Sequence, residues 1–399
     1  MLLLHVFILC VLGASLLGLG FNLLFFRSIV PVELPVSHGR VSILVPARNE
    51  ERSIGECVSS LLGQDYPDFE LLVLDDSSTD RTAAIVGELL AGHPRHRLIA
   101  GTPLPDGWTG KNWACHQLSQ AATGDWLLFT DADTVHSPPA LSAAMAMAAA
   151  GGADLLSAWP RLRTVSLGEK LIITVLHIMA LCWGPFALLQ IIQRQPRLAA
   201  AMPRGLLREL GGANGQFLMF RRAAYERIGG HEAVRDHIVE DVALGREVAR
   251  RIPDGMRLFN CDGSHLIDCR MYRSFREVWD GFTKNAYPVF EGNLLIWCFV
   301  GGMQFTVFFL PFILLFFRSQ FRMAVIEVAV IYLIRVILVL RMRTSWVGCV
   351  LHPVGQFLAM SIAIRSWIST TGAGVEWKGR TYQPNLRAGS ASGSRMGGD

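Results

Sequence analysis

The chain has 399 residues, of which 51% are hydrophobic and only 18% charged, and its formal net charge at pH 7 is +4. This composition excludes an ordinary soluble domain throughout and places part of the chain in lipid. The modest charge, with no basic run interleaved with aromatics, argues against a nucleic-acid partner. The eight cysteines (Cys10, Cys57, Cys115, Cys182, Cys261, Cys269, Cys298, Cys349) form no Cys-x-x-Cys pair or zinc-like spacing, which fits a reduced compartment without a structural metal.

In chain order, Leu2 to Phe26 carries no Asp, Glu, Lys or Arg. At about 1.5 Å per residue it is long enough for a hydrocarbon layer of about 30 Å. A cleaved signal peptide is the competing reading, but a basic n-region is missing and Arg27 comes after the apolar run. Residues 1–27 therefore read as a retained anchor. The basic residues after it (Arg27, Arg40, Arg48, Arg52) place the interior of the chain in the cytoplasm. Residues 40–290 carry most of the charge and alternate strand-like with helix-like segments, enough for one α/β catalytic domain.

Residues 171–192 form an apolar run long enough to span, yet one crossing there would put the acidic clusters on either side of it on opposite faces of the membrane. Gly184-Pro185 breaks its helix. A bent interfacial or re-entrant segment is expected, with a buried core helix as the alternative. Three further apolar stretches, 294–317, 323–340 and 347–368, are separated by Arg318, Arg322, Arg341 and Arg343 and read as C-terminal transmembrane helices over 294–368. The tail, 369–399, ends in a Gly-, Ser- and Arg-rich dozen expected to be disordered.

The motifs fall between these apolar ends. An apolar strand from Val41 stops at Pro46 and opens towards a helix beginning near Glu50 or Glu51, and ligands of open α/β sheets bind at such carboxyl edges. The next strand, Leu71 to Leu74, ends in Asp75-Asp76-Ser77-Ser78-Thr79-Asp80. Helix capping accounts for one or two of these residues but does not require adjacent acids, so Asp76 is assigned to a nucleotide base or ribose. Gly110-Lys111 at a helix start can bring backbone amides and an ammonium to a phosphate, while Trp108 and Trp113 are either core or binding residues. Trp126 to Phe129 reads as a buried strand, which directs Asp131 and Asp133 to one side as a pair for a hard divalent cation. The loop from Gly211 to Arg222, with Gly212, Asn214 and Gly215, would let a sugar lie close to backbone. Glu240-Asp241 opens an amphipathic helix, where acids are favoured in any case.

Strand-Pro-x-x-Asn-Glu, Asp-Asp-x-Ser-Thr-Asp, Asp-Ala-Asp and Glu-Asp, in this order, resemble the family-two inverting glycosyltransferases of the GT-A fold. The resemblance implies an α/β, Rossmann-like nucleotide-sugar-binding domain, here with one N-terminal and about three C-terminal transmembrane helices. It implies donor contacts from Pro46, Arg48, Glu50, Asp76, Lys111 and Asp131, and Mg²⁺ or Mn²⁺ on Asp131 and Asp133. It puts Gly212, Asn214 and Gly215 on the acceptor side, and makes Asp241, beside Glu240, the general base. Processive members carry Gln-x-x-Arg-Trp; here Arg273-x-x-Arg276 keeps the spacing but Glu277 replaces the tryptophan, against a polysaccharide synthase. Those arginines reach either the diphosphate or lipid headgroups. Gly110-Lys111-Asn112-Trp113-Ala114-Cys115, Trp279 to Asn285 and Glu376 to Tyr382 look like the membrane-bound subgroup associated with hopanoids and carotenoids (diaponeurosporenoate-type). The implied activity is transfer of one sugar from a nucleotide-sugar, most simply a UDP-sugar, to a polyisoprenoid-derived lipid. The enzyme would be multi-pass in the cell inner membrane, with its catalytic domain cytoplasmic. The rivals are a polyprenyl-phosphate glycosyltransferase and a non-catalytic protein that binds nucleotide-sugar or lipid.

Overall fold

Strand side chains alternate between two faces, and here both faces are apolar, so the strands must be buried on both sides. Along Val41–Ala47, residues Val41, Ile43 and Val45 enter one core while Leu44 enters the other. The computed structural model describes residues 1–32, 38–372, 375–377 and 380–382, the last two segments as backbone only. The Gly- and Ser-rich end and Lys378-Gly379 lie outside the described residues.

The chain begins with helix α1 (Leu2–Phe25) and enters β1 (Val41–Ala47), α2 (Ile54–Leu62), β2 (Phe69–Asp75), α3 (Thr82–Leu90), β3 (Arg97–Ala100) and α4 (Gly110–Ala121). Next come β4 (Trp126–Thr130), β5 (Thr134–His136), α5 (Ala140–Gly151), β6 (Leu155–Trp159), β7 (Arg161–Leu162), α6 (Leu167–Trp183) and α7 (Phe186–Gln193). Beyond α8 (Pro196–Ala201) and α9 (Arg204–Glu209) are β8 (Phe217–Arg221), α10 (Arg222–Ile228), α11 (Glu240–Arg250), β9 (Leu258–Asp262), β10 (Ile267–Cys269) and α12 (Phe275–Asn285). The apolar end holds α13 (Leu294–Met303), a π-helical stretch Gln304–Phe309, α14 (Leu310–Leu314), α15 (Phe321–Met342), α16 (Trp346–Val350) and α17 (His352–Thr371), then the hairpin β11 (Val375–Trp377) and β12 (Arg380–Tyr382).

A seven-stranded sheet runs β3-β2-β1-β4-β8-β6-β9. β8 is antiparallel to both of its neighbours, whereas β3, β2, β1 and β4 are parallel. The carboxyl ends of β1, β2 and β4 therefore open at one edge. A small sheet, β5-β10-β7, closes one side of that edge.

Among the described residues, four helical segments are long and apolar enough to cross a membrane: Leu2–Phe25, Leu167–Gln193, Leu294–Leu314 and Phe321–Met342. α17, a helix of 20 residues, is less apolar, carrying His352, Gln356 and Arg365. At its N-terminal end α1 offers His5 to Glu327 and Gln320, 2.7 and 2.8 Å away, where α15 begins. At its other end the backbone of Arg27 and Ile29 bonds Asp262 of β9, and Arg341, near the end of α15, pairs with Asp262 as well. α1 and α15 thus run parallel, with their C-terminal ends at the sheet.

The segment from α6 to α7 behaves differently. It starts at Glu169, which meets Arg270 at 3.4 Å, and ends with Gln190 donating to the Leu258 carbonyl of β9 at 3.0 Å, so both ends touch the sheet domain. Gly184 and Pro185 break it, and the break is sealed by α1. Asn22 Nδ2 donates to the carbonyls of Leu181 and Gly184 at 2.9 and 2.7 Å, and Asn22 Oδ1 accepts from Ala187 N at 2.9 Å. Those groups have no helical partner at such a break and need one when buried. α16 and α17 likewise leave the domain side and return to it: α16 starts just past Arg343, while Ser366 near the end of α17 accepts from the Tyr287 amide just beyond α12. The hairpin strand β11 lies against α12.

Candidate active site

β4 ends at Thr130, so Asp131, Ala132 and Asp133 form the turn into β5 instead of continuing the strand. The strand alternation expected of the pair does not apply to it; the turn does the aiming. Thr134 Oγ1 donates to the Asp131 carbonyl at 2.7 Å, and the Asp133 carbonyl accepts from the Arg270 amide at 3.2 Å. Both carboxylates face a cavity of about 1720 Å³.

Helix α4 starts at the cavity wall because Thr109 caps it, accepting from Asn112 N at 3.3 Å. This places Lys111 between two acids: its Nζ lies 2.7 Å from Asp131 Oδ1 and 2.8 Å from Glu240 Oε1. Desolvation disfavours the ammonium, but Asp131 and Glu240 outweigh it and raise its pKa well above the usual lysine value. Trp108 and Trp113 cluster with His116 outside the cavity lining, with Trp113 Nε1 donating to the Thr102 carbonyl.

Glu240 and Asp241 form the first turn of α11. Asp241 Oδ2 accepts from the Gly215 amide at 2.7 Å and Oδ1 from the Val242 amide at 2.8 Å. A Cβ on Gly215 would lie 3.0 Å from Asp241 Oδ2, so the glycine makes room for the carboxylate. Burial, and then the Glu240 charge, push the Asp241 carboxyl up to about 6 against the pull of Lys111 and the two amides.

At the sheet edge, Arg48 Nη1 donates to the Asp76 carbonyl at 2.5 Å and lies 3.9 Å from its carboxylate. The residues after β1 and β2 interlock: Asn49 Oδ1 accepts from Thr79 N, and Asp80 Oδ2 accepts from Glu51 N. Asn49 takes a positive φ of 53° in this turn, and the helix begins only at Ile54, later than the sequence suggests.

Pro46, Arg48, Glu50, Asp76, Lys111, Asp131, Asp133, Asn214, Gly215, Glu240, Asp241, Arg273 and Arg276 all line the one cavity. Gly212 does not. Its carbonyl accepts from Asn260 Nδ2 at 2.9 Å, and its backbone lies so near Gly245 that a Cβ there would come within 2.9 Å of Gly212 Cα. This glycine serves close packing of α11 on the loop. Arg273 donates to the Arg52 carbonyl at 2.8 Å, and Arg276 is 92% exposed with Asp280 at 3.7 Å.

Sequence reasoning missed Arg270 and Trp159, which also line the cavity, and Glu169, the buried partner of Arg270. The signal for Glu169 was present in Ser166-x-x-Glu169, a capping box that starts α6. Away from the acids the same cavity becomes apolar, walled by Ile172, Val175 and Met179 of α6, Phe282 of α12, Val300 of α13 and Met360 of α17.

Among known proteins, residues 42–229 match the model of the family described as glycosyl transferase family 2. The 4,4'-diaponeurosporenoate glycosyltransferase of Staphylococcus aureus (strain MRSA252) is 26% identical over 365 residues, 88% of this chain and 90% of that one. Its counterpart in strain USA300 is 25% identical over 363 residues, again 88% of this chain and 90% of that one. Among solved structures, a mannosyltransferase from Pyrobaculum calidifontis in complex with GDP-Man and Mn²⁺ matches with a TM-score of 0.51 at 18% identity, over 91% of this chain and 99% of that one. Residues 42–229 are thus similar to glycosyl transferase family 2, and the sheet is that of the GT-A fold.

Proposed function

We propose that the chain transfers one sugar, with inversion, from a nucleotide-sugar donor to a hydroxyl or carboxyl on a polyisoprenoid-derived lipid. The donor is most simply a UDP-sugar. The observation that carries this reading is that one cavity holds Asp131, Asp133 and Asp241 at one end and the apolar walls of α6, α13 and α17 at the other. A polar donor and an apolar acceptor then meet without either leaving its preferred surroundings. The Staphylococcus aureus relatives are named for glycosylating diaponeurosporenoate, which supports an acceptor of that class.

The donor's base and ribose lie over Pro46, Arg48, Glu50 and Asp76, and its diphosphate lies near Lys111. Two carboxylates are oxygen donors of the kind that would suit a Mg²⁺ or Mn²⁺. Lys111 already places a positive charge against Asp131. Asp131 and Asp133 would hold the cation, which would supply positive charge against the departing nucleoside diphosphate. With a hydroxyl acceptor, Asp241 takes its proton as the oxygen forms the bond to the anomeric carbon and the bond to the diphosphate breaks on the opposite face. The amides of Gly215 and Val242 fix the carboxylate's direction for this step. The catalytic domain faces the cytoplasm at the inner membrane, with α1, α13 to α14 and α15 crossing and the α6–α7 and α16–α17 segments turning back.

Mass spectrometry of membrane lipids from cells with and without the protein tests the reading. A species heavier by one sugar unit, absent when Asp241→Asn replaces the native chain, is the expected result. Identical lipid profiles would defeat it. Retained transfer by Asp241→Asn would instead favour an acceptor that is already anionic, a carboxylate or a polyprenyl phosphate.

A further inference from the structure

We propose that the acceptor is an elongated amphiphile that enters the cavity sideways from the lipid, through the seam between α13 and α17. The inference rests on the lipid-acceptor reading and adds the route and the residues that frame it. α13 contains no buried residue and touches the body of the protein only through the part-buried Trp297, Val300 and Met303. It nevertheless lines the catalytic cavity through Val300, Gly301 and Gly302, and α17 lines it from the facing side through Ala359, Met360 and Ala363. A Cβ on Gly301 or Gly302 would meet nothing within 4 Å among the described residues, so open space lies on that side of the helix.

The seam is closed at both ends. At the domain end Trp297 stacks on Trp367, ring centroids 5.7 Å apart. At the far end Gln356 Nε2 donates to Gln304 Oε1 at 2.8 Å, and Phe309 meets Phe357. The seven helical steps from Trp297 to Gln304 set the opening's length at roughly 10 Å along the axis. Gln304 begins the π-helical stretch, a widened turn of the kind that accompanies functional sites.

A second observation points to an occupant. Gln356 is 1% exposed and lines the cavity, yet its Oε1 has no hydrogen-bond partner among the described residues. A buried amide oxygen at the end of an apolar slot is completed by a donor that arrives with a bound molecule. The occupant that fits has a reactive polar head reaching Asp241, an apolar body between α13 and α17, and a hydroxyl or bound water at the glutamine pair. An apolar body of this kind comes from the bilayer and does not need to cross water to reach the carboxylates.

The test uses the full chain in phosphatidylglycerol vesicles containing a long-chain alcohol with a mid-chain diazirine. After irradiation, peptide mass spectrometry locates the label. Label concentrated several-fold on residues 297–304 and 356–367, relative to the exposed Leu3 of α1 and Leu333 of α15, is expected. Gly302→Phe combined with Ala363→Phe should erase that enrichment while nucleoside diphosphate still binds with unchanged affinity, which shows the variant is folded. Label as dense on Leu3 and Leu333 as on the seam, or enrichment that survives in the folded filled variant, overturns the proposal. Should the filled variant lose nucleotide binding, the wild-type labelling pattern alone decides. Labelling needs no turnover, so a chain that labels at the seam and transfers no sugar refutes the proposed function and leaves the route standing.

Discussion

Lys111 bridges Asp131 and Glu240, so one ammonium spans the two acidic groups that the proposed reaction keeps apart. Charge-assisted contacts of this kind contribute about 1.5–3 kcal/mol each. Lys111→Met should therefore raise the Kd for nucleoside diphosphate about tenfold or more by calorimetry. Asp241→Asn should lower transfer by about 10²–10⁴-fold, the usual contribution of a positioned base. Asp241 accepts a proton only when ionised, so kcat/KM should climb with pH on the acid side, with a midpoint near 6. The Glu240 charge holds that midpoint up, so Glu240→Gln should move the limb to lower pH in the same pH profile. These positions were legible because each acid sits beside an apolar run or a helix start, and local pattern reports such places. The pairing of Arg270 with Glu169 was not, since it joins residues 101 apart in the chain that only the fold brings together.

Among the elements, the segment from α6 to α7 was legible in part. Gly184-Pro185 announced the break, but nothing in the residue pattern pointed to Asn22, inside an otherwise apolar helix, as the partner of the groups the break exposes. A lone asparagine in a hydrophobic run carries no periodic signal. α1 also comes close to α6 at Gly18, where a Cβ would stand 2.7 Å from the Cys182 carbonyl oxygen. Gly18→Val should push the helices apart and cost about 1–3 kcal/mol, the range for overpacking a filled interface. Thermal unfolding in detergent would register the loss, and Gly13→Val, with nothing within 4 Å among the described residues, is the matched control. The turn holding Asp131 and Asp133 teaches the converse: the chemistry of the pair shows in its residue types, while its geometry belongs to a turn and not to the strand that alternation suggests.

At the scale of the molecule, the sheet edge and the apolar helices share one buried anchor. Asp262 of β9 is fully buried, accepts from Ser28 Oγ at 2.9 Å just after α1, and pairs with Arg341 near the end of α15. Arg341 is part-exposed and keeps its bonds to Phe26 O and Ser28 Oγ, so losing the Asp262 carboxylate should cost about 1–3 kcal/mol. Asp262→Ala should lower the unfolding midpoint accordingly, and limited proteolysis should open the connection between α1 and β1. The apolar ends and the alternating interior could be read from composition, but the bolt between them could not, because a single Asp, Ser and Arg have no spacing to betray them.

That bolt fixes an altitude. In the proposed reading, with the donor pocket riveted to the apolar helices through Asp262, the carboxylates stand at one constant height over the leaflet. Selection then falls on where along its own length an amphiphile carries its reactive oxygen, much as a gauge passes only parts whose shoulder sits at the set mark.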